Sequence, residues 1–540
     1  MPLPDVPVRH VLVLGFALAA TACVTPAVQT PTPAAPIEDH AALAEELSIA
    51  EIQALKRRGE LSAQALVEGF LQRIEQIDRT GPSLNSVIEL NPAASEEAAR
   101  LDAERQAGRV RGPMHGVPVL LKDNIDAAGM ANSAGSLALA GHIPAEDAFL
   151  VTRLREAGAI VLGKANLSEW ANFRSTRSTS GWSSRGGQTR NPYVLDRNPC
   201  GSSSGSATAV AAHLATVSVG TETDGSIMCP AAVTGLVGIK PTLGLVSRQG
   251  IIPIAISQDT AGPMARSVAD AAALLGAMAG ADPRDPEGEV AAPHIEADYT
   301  VHLRADGLAG LRIGIVRETF GFHPDVDAVL ESALETLQAA GAVLVDPVEI
   351  ATHEQYRDAE YAVLLYEFRE GLNAYLAASD APVSTLAELI AFNEAHADAV
   401  MPWFGQEIFE LAETLAEQPE HRENYLQARE TARRLARVEG LDAALATHEL
   451  DALVTAAVGP AWPTDPVNGD HFLGAGYSLA AVAGTPSLTV PAGHVHGLPV
   501  GLVFMGPAWS EGRLIAMAYA FEQRRQARQP PPLSPTLPVP

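Results

Sequence analysis

Short apolar runs that alternate with helix-patterned stretches constrain this chain most. Those at 117–121, 159–163 and 217–220 read as buried strands, and those at 452–455, 487–490 and 500–505 repeat the pattern late in the chain. Helical patterns at 147–157 and 206–214 lie among the first three, the second built of small residues. A continuously apolar strand needs cover on both faces, and helices between strands supply it. The pattern predicts an α/β fold, with a central, mostly parallel mixed β-sheet covered by helices. Residues 324–448 break the alternation. They are acidic, rich in Ala, Glu and Leu, and predict a helical region over the core that shapes a cleft.

Composition narrows the partners. The chain has 540 residues and a formal net charge of −27. Nucleic acid and anionic membrane surfaces reward clustered Lys and Arg, so neither is the expected partner. Three cysteines do not make a disulfide scaffold. The histidines are scattered, and the close pair His494 and His496 lacks the spacing of a metal site. No metal and no cofactor are expected.

The two ends read differently from the middle. Arg9 and His10 precede an apolar run at 11–20, too short to cross a bilayer. Ala20-Thr21-Ala22 fits the small-x-small cleavage pattern of an export signal. Cys23 follows at once, so residues 1–22 predict a lipoprotein-type signal peptide and Cys23 a lipidated residue. Residues 24–44 form a Pro, Thr and Ala-rich tether, 45–528 the globular part, and 529–540 a Pro-rich tail. The expected location is the periplasm or cell envelope, with the membrane touched only through lipid at Cys23.

Three segments carry chemistry. The first is Gly116-Val117-Pro118-Val119-Leu120-Leu121-Lys122-Asp123-Asn124, an apolar strand that ends in a lysine. Burial disfavours the charged ammonium and makes such a lysine a general base near neutral pH. The second is Asn198-Pro199-Cys200-Gly201-Ser202-Ser203-Ser204-Gly205-Ser206, flanked by structured patterns that argue against a flexible linker. The third is Gly220-Thr221-Glu222-Thr223-Asp224-Gly225-Ser226-Ile227, where a strand turns into a helix. Free N–H groups there face any developing oxyanion, although a serine at such a junction is also a common N-cap.

Together these segments resemble the amidase signature family. The resemblance spans about residues 45–525 and takes in Gly238-Ile239-Lys240-Pro241, Gln258-Asp259-Thr260-Ala261-Gly262-Pro263 and the Gly-Thr-Pro-Ser-Leu-Thr-Val-Pro-Ala stretch near 490. Within the family the segments are most similar to those of peptide amidases. The resemblance implies Ser226 as the acyl-forming nucleophile, Ser202 as a bridging serine after a cis peptide bond, and Lys122 as the base. It implies an oxyanion hole from the N–H groups of Thr223, Asp224, Gly225 and Ser226. Many members carry Gly where this chain has Asp224, and Arg where it has Met228. The missing Arg argues against a small dicarboxylic amide as substrate. Asp224 matches the peptide amidases, and the resemblance implies hydrolysis of the C-terminal carboxamide of peptides.

Other readings stand beside it. A broad amidase would act on aryl, amino-acid or fatty amides. The family's glutaminyl-tRNA-forming amidotransferase subunit is opposed by the export signal and the acidic charge. A non-catalytic envelope lipoprotein is opposed by the three retained positions. Gly201-Ser202-Ser203-Ser204-Gly205 also satisfies G-x-S-x-G, with Ser203 as nucleophile and His494 or His496 as base. That elbow needs a strand directly before it, and 189–199 reads as loop. Cys200 and Cys229 flank Ser202 and Ser226, which sets them near each other; the sequence does not decide whether they pair, and buried free thiols are the plainer expectation.

Overall fold

A computed structural model describes residues 46–537. The expected signal, lipidated Cys23 and the whole tether lie outside these residues. An eleven-stranded mixed sheet runs through the molecule. Its strands in chain order are β1 (Val87–Leu90), β2 (Pro118–Lys122), β3 (Ile160–Ala165), β4 (Val217–Glu222), β5 (Val237–Lys240) and β6 (Thr260–Ala265). They continue with β7 (Arg312–Ile315), β8 (Val343–Val345), β9 (Ala452–Ala456), β10 (Ser487–Val495) and β11 (Leu498–Met505). The spatial order is β1-β3-β2-β4-β6-β5-β10-β11-β9-β7-β8.

The α/β architecture expected from the alternating runs is present. β3, β2 and β4 run parallel, as do β9, β7 and β8. The strands between them pair antiparallel, from β4 through β6, β5, β10 and β11 to β9. Among the antiparallel pairs, β10 and β11 form a hairpin, which needs no helical crossover. In β2, β3 and β4 every residue is buried, as strands covered on both faces must be. Fully burying a Val or Leu side chain contributes about 1.5–3 kcal/mol, so these strands anchor the core.

Two helices place the site. α1 (Ser204–Ala211) and α2 (Met228–Val233) are both entirely buried beside the sheet. The serine run leading into α1 is no linker. Ser206 Oγ donates to Val219 O at 3.1 Å, Ser218 Oγ donates to Ser206 O at 2.7 Å, and Ser204 Oγ donates to Cys200 O at 2.6 Å. The Ser206 and Ser218 hydroxyls stitch α1 to β4, and the Ser204 hydroxyl ties α1 to the loop before it.

The regular elements of 324–448 are helices with one exception, β8, which lengthens the sheet at its edge. α3 (Pro324–Ala339) packs on β10, and α4 (Arg357–Ala377) leads the helices that stand over the cleft. α5 (Glu407–Ala416) and α6 (His421–Arg433) lie against α4. The tail is held as well: Leu533 N–H donates to Pro192 O at 3.1 Å and Leu195 N–H to Ser534 O at 2.8 Å. Among the described residues no helix is long and apolar enough to cross a membrane.

Candidate active site

β4 runs past the end of its pairing with β2, which leaves the backbone of Thr221 open. Two side chains close it. Ser203 Oγ donates to Thr221 O at 3.0 Å and accepts from Thr221 N–H at 3.2 Å. Lys122 Nζ, from the last residue of β2, reaches Thr221 O at 3.1 Å and Thr221 Oγ1 at 2.9 Å. Its third contact is Ser202 Oγ at 2.7 Å. Lys122 is wholly buried, and burial pulls its ammonium down to about 7, opposed by the charges of Glu222 and Asp259. A lysine so placed exchanges a proton with a serine near neutral pH.

Ser202 follows a cis peptide bond from Gly201. The chain is crowded there. A Cβ on Gly201 would run into Ser168 Oγ and stand 2.9 Å from Asn172 Oδ1, so only glycine fits. Ser202 O accepts from Ser168 N–H at 3.1 Å, which fixes the backbone behind the hydroxyl. Ser203 N–H donates to Ser226 O at 3.1 Å and ties this segment to the strand-turn serine. Ser226 stands at the cleft floor, while Ser202 and Lys122 lie buried behind it. The Ser202 and Ser226 hydroxyls share no hydrogen bond here.

The turn 223–226 owes its shape to Glu222, whose Oε2 accepts from Ile227 N–H at 2.7 Å and Met228 N–H at 2.9 Å. Among the described residues, the N–H groups of Thr223, Asp224, Gly225 and Ser226 donate to no protein acceptor. Gly225 has φ +80°, and the Tyr477 ring occupies the place its Cβ would take. Thr223 Oγ1 donates to Asp259 at 2.6 Å, and Asp259 also accepts from Ile254 and Ala255 N–H. Burial raises the Asp259 carboxyl to about 6. The Asp224 carboxyl is pushed well above the usual range, by burial first and then by the facing Glu360.

Cys200 and Cys229 form a disulfide, against the expectation of free thiols. One lies two residues before Ser202 and the other three after Ser226, so backbone proximity of the two serine segments brings the sulfurs together. The G-x-S-x-G reading fails on geometry. Both hydrogen-bonding functions of the Ser203 hydroxyl are spent on Thr221, His494 packs on Tyr193, and His496 is exposed on the β10–β11 hairpin beside Asp325.

The cleft above Ser226 holds about 530 Å³, within the size of small-ligand sites. Tyr361, Leu364 and Ile408 come to it from the helical region expected to wall it. Much of the remaining wall comes from loops at 171–180 and 462–477, which carry no sequence periodicity, with Cys200, Gly201 and Ile254 beside them. Asp470 joins these loops: it accepts from Ser180 N–H, Asn198 Nδ2 and Trp462 Nε1 at 3.0–3.1 Å. Sequence reasoning gave no role to Glu222, Asp259, Tyr477 or Asp470. The first two lie inside the motif segments, whereas Tyr477 and Asp470 have no local signal. Among the described residues, no group of three or more His, Cys, Asp or Glu could hold a metal ion.

A family model described as amidase matches residues 65–515. The chain is 57% identical to the native peptide amidase of Stenotrophomonas maltophilia, with a TM-score of 0.86 over 90% of this chain and 98% of that one. It is 41% identical to a probable amidase of Arabidopsis thaliana over 90% of this chain and 91% of that protein. It is 38% identical to a glutamyl-tRNA(Gln) amidotransferase subunit of Halorhodospira halophila, covering 88% of this chain and 96% of the relative.

Proposed function

The chain belongs to the amidase family, a family of hydrolases of carbon–nitrogen bonds, and from that premise we propose that it removes the C-terminal carboxamide of peptides through an acyl-enzyme on Ser226. The observation that carries this reading is the 2.7 Å contact of the buried Lys122 with Ser202, set directly behind the cleft serine. Neutral Lys122 takes the Ser202 proton as Ser202 takes that of Ser226. Ser226 Oγ bonds to the amide carbon, the C–N bond breaks, and the relay returns the proton to the leaving ammonia. The unengaged N–H groups of the 223–226 turn hold the oxyanion; losing one such donor typically costs about 10²–10³ in rate.

The substrate class rests on the likeness to a solved peptide amidase and on Met228, which puts no Arg before a substrate carboxylate. A peptide assayed as its amide and as an extended chain tests it. The amide is expected to release ammonia and the extended chain to stay whole. Internal cleavage, or preference for long-chain fatty amides, contradicts the reading. Ser203→Ala more damaging than Ser226→Ala contradicts the roles. The same proposal includes export on residues 1–22 and lipid on Cys23. Mass spectrometry of a mature protein starting at Cys23 or later, without lipid, contradicts the anchor.

A further inference from the structure

Acyl-enzyme chemistry, as proposed above, raises a problem of access. Once a peptide acyl group fills the cleft, the water that hydrolyses it needs a way in. On the far side of Thr221, which Lys122 contacts, lies a small void lined by Asn124, Thr221, Thr223, Ile251, Ile252 and Asp259, among others. The space for a water centre in it is about 10 Å³, close to the size at which a buried cavity takes one molecule. A buried water also needs two to four polar partners. Asn124 supplies an unused one. It is 4% exposed, its Nδ2 donates to Thr221 Oγ1 at 3.0 Å, and its Oδ1 accepts from no protein donor. Thr221 Oγ1 is the same atom that Lys122 Nζ contacts at 2.9 Å.

The void has two neighbours. Ala171, Thr223 and Ile254 line both it and the cleft. Ile251 and Asp259 line both it and a separate pocket of about 880 Å³ that carries Asp126, Gln249 and Tyr375. We propose that the void holds the deacylating water in waiting: the water passes from it into the cleft along Thr223 to reach Ser226, and the void is refilled from the second pocket past Ile251 while the acyl group closes the cleft. The water oxygen bonds to the acyl carbon as the ester bond to Ser226 Oγ breaks. Ser202 and Lys122 take the water's proton and return one to Ser226, which leaves the peptide acid and the free serine.

An N-acetyl dipeptide methyl ester separates this step, because its easy acylation makes deacylation limit kcat. Quenched steady-state samples of the wild type should carry the acyl mass on Ser226. Narrowing the passage with Ile251→Trp should lower kcat at least tenfold, leave kcat/KM within twofold, and raise the acylated fraction. Ile251→Ala, which keeps the passage open, should hold kcat at or above the wild-type value. If the Trp variant fails to fold, Ile251→Phe carries the same expectation. A joint fall of kcat and kcat/KM, or no change in a folded bulky variant, overturns the proposal. Absence of acyl mass on Ser226 in the wild type contradicts the acyl-enzyme reading itself and not the water route.

Discussion

Lys122 ends β2 and Lys164 lies one residue before the end of the neighbouring parallel strand β3, and both are wholly buried. Lys164 pairs in register with Leu121, one residue before Lys122. Successive side chains on a strand point to opposite faces, so the single-residue step sends the two ammonium groups to opposite sides of the sheet. On its side Lys164 meets Ile125 O at 2.6 Å, Ala131 O at 3.1 Å and the Asp123 carboxylate at 3.4 Å. None of these can give up a proton. Lys122 meets two hydroxyls, those of Ser202 and Thr221. Lys240, at the end of β5, repeats the structural pattern, with Thr485 O and Pro241 O as acceptors. Burial depresses all three lysines, Lys122 to about 7 and Lys240 to about 8. Desolvation therefore makes a base available, and the neighbour decides whether it is used.

The largest effect that sharpens this contrast is on turnover. Ser226→Ala is expected to lose on the order of 10⁶ in kcat, and Lys122→Ala and Ser202→Ala several orders each, with unchanged far-UV circular dichroism. The Lys122→Ala, Ser202→Ala double variant should be no more than about tenfold worse than the poorer single, because the pair acts as a unit. Full additivity breaks the relay.

Lys164→Met should invert the pattern. It leaves the Asp123 carboxylate with Arg185 at 3.1 Å, so the cost stays below the roughly 3–5 kcal/mol of a buried pair broken outright and is read as a lower denaturation midpoint. The folded fraction should keep kcat within about tenfold. A catalytic collapse of that fraction would erase the distinction between the two lysines.

The disulfide gives a smaller effect. Replacing Cys200 and Cys229 together by Ser should remove about 2–4 kcal/mol of stability, with a modest loss of rate because the bridge holds backbone and touches no proton path. Unchanged denaturation midpoints under reducing and oxidising conditions would contradict this.

Sequence reading stops at these same lysines. Lys122, Lys164 and Lys240 all close or nearly close an apolar strand, so local pattern cannot separate them. The separation needs strand register and the cis-linked Ser202, which are tertiary facts. The strand-to-turn segment was legible because the strand-patterned run 217–220 gives way to polar residues and the turn glycine Gly225 follows. The disulfide was not, since its cysteines are 29 residues apart and meet only through the Ser203–Ser226 backbone bond. The cleft walls at 171–180 and 462–477 were illegible for another reason: loops hold their shape through single side chains such as Asp470, without periodicity.

Labelling of Ser226 by a fluorophosphonate across pH tests the central claim most directly. Lys122 binds its proton below about 7 in the folded protein, so the base is lost as pH falls through that value and present above it. The labelling rate should rise about tenfold per pH unit below 7, level off above it, and keep that midpoint in Lys164→Met. Lys122→Ala should abolish the rise. A label on Ser203, or a midpoint that moves with Lys164 and not with Lys122, contradicts the account.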